Sequence, residues 1–336
     1  MKKYFYYVGL SLSVLMLAIC LNVTTSCEGP AGEPGADANE SCIQCHNDET
    51  TVLSRQIQAA NSVHLTGGNF ERNSTSCAPC HTHEGFLETM EAGTTTTAAS
   101  INNPTPPNCR TCHNIHIEYD STDFALRYTD PVELQANDET IDLGDANLCA
   151  NCHQARPLSP AVEVGGADVT ITNYRWGPHH GPQSAIIWGT VGYEIAGSKS
   201  YGTAGSGVHV NAGCNTCHMA EAYGNQAGGH TFRMSYLYHG DTEENLAACE
   251  SCHPTIESFD KSNIITNTKI LVDSLGSMLF AAGLIDEDGY IVPGTYTADE
   301  AGVVLNYLLV EEDKSDGIHN PAYVTALLTN SIESLQ

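Results

Sequence analysis

Six times the chain places two cysteines three residues apart with a histidine directly after the second. The sets are Cys42/Cys45/His46, Cys77/Cys80/His81, Cys109/Cys112/His113, Cys149/Cys152/His153, Cys214/Cys217/His218 and Cys249/Cys252/His253. They use 12 of the 14 cysteines and leave only Cys20 and Cys27. A thiol pair at this spacing adds across the two vinyl groups of a porphyrin, and the imidazole that follows lands under the iron as its proximal ligand. That is the attachment signature of c-type haem. The intervening residues vary (Ile-Gln, Ala-Pro, Arg-Thr, Ala-Asn, Asn-Thr, Glu-Ser), so spacing alone is held constant. Structural zinc draws its other ligands from a second cluster and has no need of a histidine after every second cysteine. A disulfide framework scatters its cysteines irregularly. The sequence therefore predicts six covalently attached haem c groups, anchored by the twelve cysteines and ligated by the six adjacent histidines.

What fills the far side of each iron decides the chemistry. A second strong ligand makes an electron carrier, whereas an open position admits substrate. Of 15 histidines, nine remain after the proximal six: His64, His83, His116, His179, His180, His209, His230, His239 and His319. Methionines beyond the N-terminal leader are Met90, Met219, Met234 and Met278, too few for six irons. The surplus of histidine points to imidazole on both faces.

Several further segments, "SVHLTGG", "CRTCHNIH", "NLCANCHQAR", "WGPHHGPQS", "GVHVNAGCNTCHM", "GGHTF" and "GIHNPAY", carry a resemblance across roughly residues 42–331. With the six motifs, the chain resembles the multihaem c-type cytochromes, a group that includes bacterial outer-membrane and extracellular electron conduits. The resemblance implies that isolated histidines in these contexts are distal ligands, often to a haem bound elsewhere in the chain. It assigns that role to His64, in a small-residue context before Cys77, and to His209, five residues before Cys214. His116 joins them, since on a helix it would point to the same side as His113 and serve a neighbouring haem. His230 lies in "AGGHTF", where glycines let backbone approach a flat ring, and His319 lies at the entrance to the last helix. In "PHHG" one of His179 and His180 suffices; His180 is preferred for the room beside Gly181. His83 is left to a propionate or to solvent, and His239 is left over.

The elements that must position these groups are sparser in signal. Lys2 and Lys3, followed by an apolar run to about Val23, read as an export signal over residues 1–26. Cys27, after "VTTS", resembles the lipidated cysteine of bacterial lipoproteins, which predicts membrane association, although Thr24 stands where such signals usually carry Leu. Residues 27–41, with "GPAGEPGAD", read as a flexible Gly/Pro tether. The six-haem domain follows over 42–257 and a helical C-terminal region packed on it over 258–336. There, "NTKILVDSLGSMLFAAGLI" (267–285) has helical period, Thr297-x-x-Glu300 forms a capping box, and Pro321 opens a last helix to about Leu335. The expected fold class is mainly α with extensive coil and little β-sheet, organised around stacked haems.

Forty acidic against 13 basic residues give a formal charge of −27. This argues against nucleic acid as a partner, since binding it needs basic patches. It suits partners of positive charge approached by long-range steering. The function expected is single-electron transfer in respiratory or extracellular electron flow, to redox partner proteins or an extracellular acceptor. The setting is an outer-membrane lipoprotein, the cell surface or the periplasm, with self-assembly into filaments a further expectation of the resemblance. A rival class is a multihaem reductase or oxidase of nitrogen or sulfur compounds. Against it, the chain has no C-x-x-C-K motif, which in the ammonia-forming nitrite reductases marks the catalytic haem.

Overall fold

The computed structural model describes Cys42, Cys45, His46 and residues 51–336. The export signal, Cys27 and the tether lie outside the described residues. The chain divides into two compact units, residues 1–47 and 48–336. In the first, the His46 amide donates to the Cys42 carbonyl at 2.7 Å, closing one turn around the first motif.

The second unit is mainly helix and coil. Its longer helices are α1 (Thr51–Ala59), α2 (His83–Ala92), α3 (Ile264–Ala281), α4 (Ala298–Asp313) and α5 (Pro321–Ser334). Strand among the described residues is confined to two-stranded antiparallel ribbons. These pair β1 (Val132–Glu133) with β2 (Thr140–Ile141), β3 (Val169–Ile171) with β6 (Gly294–Tyr296), and β4 (Ser235–Tyr238) with β5 (Asp241–Glu244). No helix among the described residues is long and apolar enough to cross a membrane.

The last three helices follow their local signals. At α4 the Glu300 amide donates to Thr297 Oγ1 (3.2 Å), and the Thr297 amide donates to Glu300 Oε2 (2.9 Å). The reciprocal pair satisfies two amides that a helix start leaves open. Pro321 opens α5 at a position where a missing N–H costs nothing, and the Asn320 side chain accepts from the Tyr323 amide. α3 begins three residues before the expected Asn267, because Asp260 accepts from the Ile265 and Thr266 amides (2.8 and 3.2 Å). It stops at Ala281 rather than Ile285, where Gly283 turns the chain through a φ of +72°.

These helices make the larger of two apolar cores. α4 is buried on nearly every side: Ala301, Val304 and Leu309 have no exposed surface and Val303 only 1%. Around it pack Leu275 and Leu279 of α3, Val324, Leu327 and Leu328 of α5, and Ile171, Trp176, Ile186, Tyr193 and Ile195 from the chain between the fourth and fifth motifs. The β3–β6 ribbon ties the same two stretches together. A smaller cluster of Val132, Leu134, Ile141, Leu143, Ala146, Ala150, Ala185, Ile187 and Val210 reaches the fourth motif through Ala150.

α4 meets Tyr193 at Gly302, where a Cβ would stand 2.2 Å from the ring. Gly302→Ala is therefore expected to destabilise the fold by about 1–3 kcal/mol through overpacking. The measurement is the urea unfolding midpoint of holoprotein, and an unchanged midpoint contradicts this close approach.

Candidate metal centres

Each motif folds as a single turn. The histidine amide donates to the carbonyl of the first cysteine at 3.1 Å for His81, 2.9 Å for His113 and His153, and 2.7 Å for His253; His218 closes the short helix Gly213–His218. This closure places positions i, i+3 and i+4 on one side, so both thiols and the imidazole face the same way whatever the intervening residues are. Every described cysteine is free of disulfide bonding.

The structure sets one further imidazole opposite each proximal histidine of the second unit. Ring centroids lie 6.0 Å apart for His64–His153, 6.3 Å for His81–His179, 6.1 Å for His113–His230, 6.5 Å for His209–His253 and 6.3 Å for His218–His319. Two imidazoles bound through nitrogen on opposite sides of one metal atom, with bonds of about 2 Å and roughly 1.1 Å from nitrogen to ring centre, stand about 6.2 Å apart. The interplanar angles range from 33° to 90°. Axial ligation accepts this range because each ring can rotate about its metal–nitrogen bond. Each pair would supply two axial donors to a metal held between its rings, with room for the four equatorial donors of a porphyrin. The residues fit the group.

His64, His209, His230 and His319 thus stand in pairs, each across from a proximal histidine. In "PHHG" it is His179, not the preferred His180, that faces His81. His179 adopts a φ of +66°, and the exposed His180 ring, 4.9 Å from that of His179 between centroids, places Nδ1 2.7 Å from Glu312 Oε2. The helical premise for His116 also fails. The turn at Cys109–Cys112 ends before His113, whose backbone is extended, and His116 stacks on Tyr119 with centroids 5.3 Å apart. His83 does not face solvent. It is buried, with Nδ1 2.9 Å from Thr111 Oγ1, which also accepts the Asn108 amide, so α2 is pinned to the third motif. His239 lies at the β4–β5 turn with its ring against Tyr238.

Several paired rings are anchored through the nitrogen that faces away from the metal position. His113 Nδ1 lies 2.7 Å from the Phe124 carbonyl, His218 Nδ1 3.1 Å from the Phe232 carbonyl and His209 Nδ1 2.6 Å from the Ile318 carbonyl. His153 Nδ1 meets Gln183 Oε1 at 3.1 Å, and His319 Nδ1 meets Asp313 Oδ1 at 2.6 Å. Such partners fix tautomer and ring orientation. Gln183 is itself held by the Glu312 and Asp313 carbonyls at the end of α4, both at 3.2 Å. The end of α4 and the following loop thereby orient His153, His209 and His319. Sequence reading missed Gln183 and Asp313, for neither sits in a motif. At "AGGHTF" the glycine room goes to a side chain: a Cβ on Gly229 would stand 2.4 Å from Gln58 Oε1 of α1, which accepts the His230 amide at 3.2 Å.

Burial pulls His64, His179 and His230 down to about 4, with neighbouring imidazoles or arginines adding to the effect. Burial also lowers His81, His153 and His218. His64 and His153 nonetheless keep solvent-accessible surface. A lowered value leaves these rings neutral near pH 7, the form a metal needs. Unfolded imidazoles titrate at 6.5, so between about 4 and 6.5 the unfolded chain holds more protons and stability falls as pH drops through that window.

No family model matches the sequence, and no curated protein matches it. Among solved structures the chain is similar to the crystal structure of outer cell wall cytochrome OcwA, with a TM-score of 0.52 at 19% identity over 84% of this chain and 50% of that one. It is also similar to an undecahaem cytochrome from the S-layer of Carboxydothermus ferrireducens, with a TM-score of 0.48 at 16% identity over 82% of this chain and 40% of that one. The chain thus spans half or less of the length of these structures. Mainly helical, rich in coil and poor in sheet, it has the fold of a multihaem cytochrome.

Proposed function

We propose that the chain is an exported hexahaem c-type cytochrome that passes single electrons along closely spaced bis-histidine haems in extracellular respiration. The observation that carries this reading is the set of five imidazole pairs at 6.0–6.5 Å, each joining a motif histidine to one from a distant part of the chain. Haem iron held between two imidazoles gains and loses one electron with both axial positions filled. In these five pairs the residues hold that geometry, with Nδ1 anchors on His113, His153, His209, His218 and His319, and imidazole takes both axial positions.

Spacing between motifs supports the same reading. The Cys80 thiol lies near that of Cys152, and the Cys149 thiol near that of Cys214. Cys112 lies within electrostatic reach of Cys149, and Cys217 within reach of Cys249 and Cys252. The attachment sites therefore run from Cys77/Cys80 through Cys149/Cys152 and Cys214/Cys217 to Cys249/Cys252, with Cys109/Cys112 beside the second of these. Neighbouring sulfurs bring macrocycle edges together, and tunnelling decays exponentially with edge-to-edge gap. The acidic chain suits a positively charged redox partner or acceptor, and Cys27 is the proposed lipid attachment at the outer membrane or cell surface.

Purified holoprotein is expected to give six haems per chain by pyridine haemochrome, a wholly low-spin ferric EPR spectrum and no carbon monoxide adduct on reduction. A substantial high-spin signal with carbon monoxide binding, or turnover of a nitrogen or sulfur oxyanion, supports the reductase reading instead. His230→Met is expected to raise the potential of one haem; an unchanged redox titration removes His230 as a ligand.

A further inference from the structure

The Nδ1 anchors are not chemically alike. Phe124, Phe232 and Ile318 offer backbone carbonyls and Gln183 an amide oxygen, all neutral. His319 alone among these has a carboxylate, Asp313 Oδ1 at 2.6 Å. That carboxylate is 1% exposed, and among the described residues no lysine or arginine forms an ion pair with it. Its second oxygen accepts from Ser315 Oγ, which in turn accepts the His319 amide at 3.2 Å, so loop 313–319 closes around the contact. At the other extreme, His230 Nδ1 is buried with no hydrogen-bond partner.

Resting on the bis-histidine reading, we infer that Asp313 is a positioning residue that makes the His218/His319 centre the low-potential member of the row, and that the His113/His230 centre stands above it. A buried carboxylate accepting the Nδ1 proton draws that proton toward itself and leaves the ring with imidazolate character. The opposite nitrogen becomes a stronger donor, which stabilises ferric over ferrous iron, and the uncompensated negative charge nearby acts in the same direction. An imidazole whose Nδ1–H has no acceptor is the weaker donor. The Cys214/Cys217 site lies beside Cys149 and within reach of Cys249, so a low-potential centre there biases where electrons reside within the row rather than at its edge.

The test is spectroelectrochemical titration of holoprotein with EPR of the oxidised state. Asp313→Asn keeps the shape and an acceptor oxygen but removes the charge. It is expected to make one haem at least tenfold easier to reduce, a rise of about 59 mV per tenfold for one electron, to move one low-spin g-value set and to leave the other couples in place. Asp313→Glu is expected to stay within about threefold of the parent. Potentials unmoved by Asp313→Asn, with His319→Ala still producing one high-spin haem, overturn the tuning role while leaving ligation intact. His319→Ala that stays wholly low-spin overturns the ligation itself. Should Asp313→Asn not assemble, Ser315→Ala removes a hydrogen bond from the carboxylate without removing its charge and is expected to lower the same couple; no shift, or an upward one, overturns the proposal.

Discussion

An imidazole bound to iron at one nitrogen is fixed in direction but not in rotation, and its Cβ tether alone leaves it free to swing away. In the proposed bis-histidine reading, holding two such rings on opposite sides of one point, about 6.2 Å between centres, is the constraint that the rest of the molecule serves. The CxxCH turns solve half of it locally, because one hydrogen bond from histidine amide to cysteine carbonyl aligns both thiols and the proximal ring. The other half needs a second ring delivered from elsewhere in the chain, and at His209 and His319 a contact at Nδ1 stops that ring turning.

That demand explains the tail without motifs. Its helices form the larger apolar core, and the product of that rigidity is a stiff end to α4. From there Gln183 reaches His153, the Ile318 carbonyl meets His209 and Asp313 meets His319. A buttress built only to cover ring edges would not need to carry three orientation contacts in one turn and loop. Loss of packing around α4 would loosen three centres together.

What the sequence made legible was local. The six motifs, the Thr297–Glu300 box and the Pro321 helix start each depend on residues within four positions of one another. The pairing of distal rings was not legible, because His64 and His153 or His113 and His230 meet only through the folded path of the chain. The choice between His179 and His180 rested on tertiary contacts that neither residue type announced, His179 facing His81 and His180 meeting Glu312. The helix assumed to carry His116 past Cys112 does not form, because the backbone becomes extended at His113. Gln183 and Asp313 read as ordinary polar residues, and their roles exist only through tertiary contact. The glycines before His230 were noticed for the room they give to close approach, and the neighbour that Gly229 admits, Gln58, comes from a distant helix that no local pattern announces.

Near-infrared magnetic circular dichroism of the oxidised holoprotein reports axial ligation directly, because the charge-transfer energy of low-spin ferric haem separates imidazole/imidazole from imidazole/thioether and imidazole/water. A single band system of the imidazole/imidazole type, with intensity matching the full haem content, is the predicted result. A thioether component, or intensity accounting for clearly fewer haems than are bound, contradicts the account.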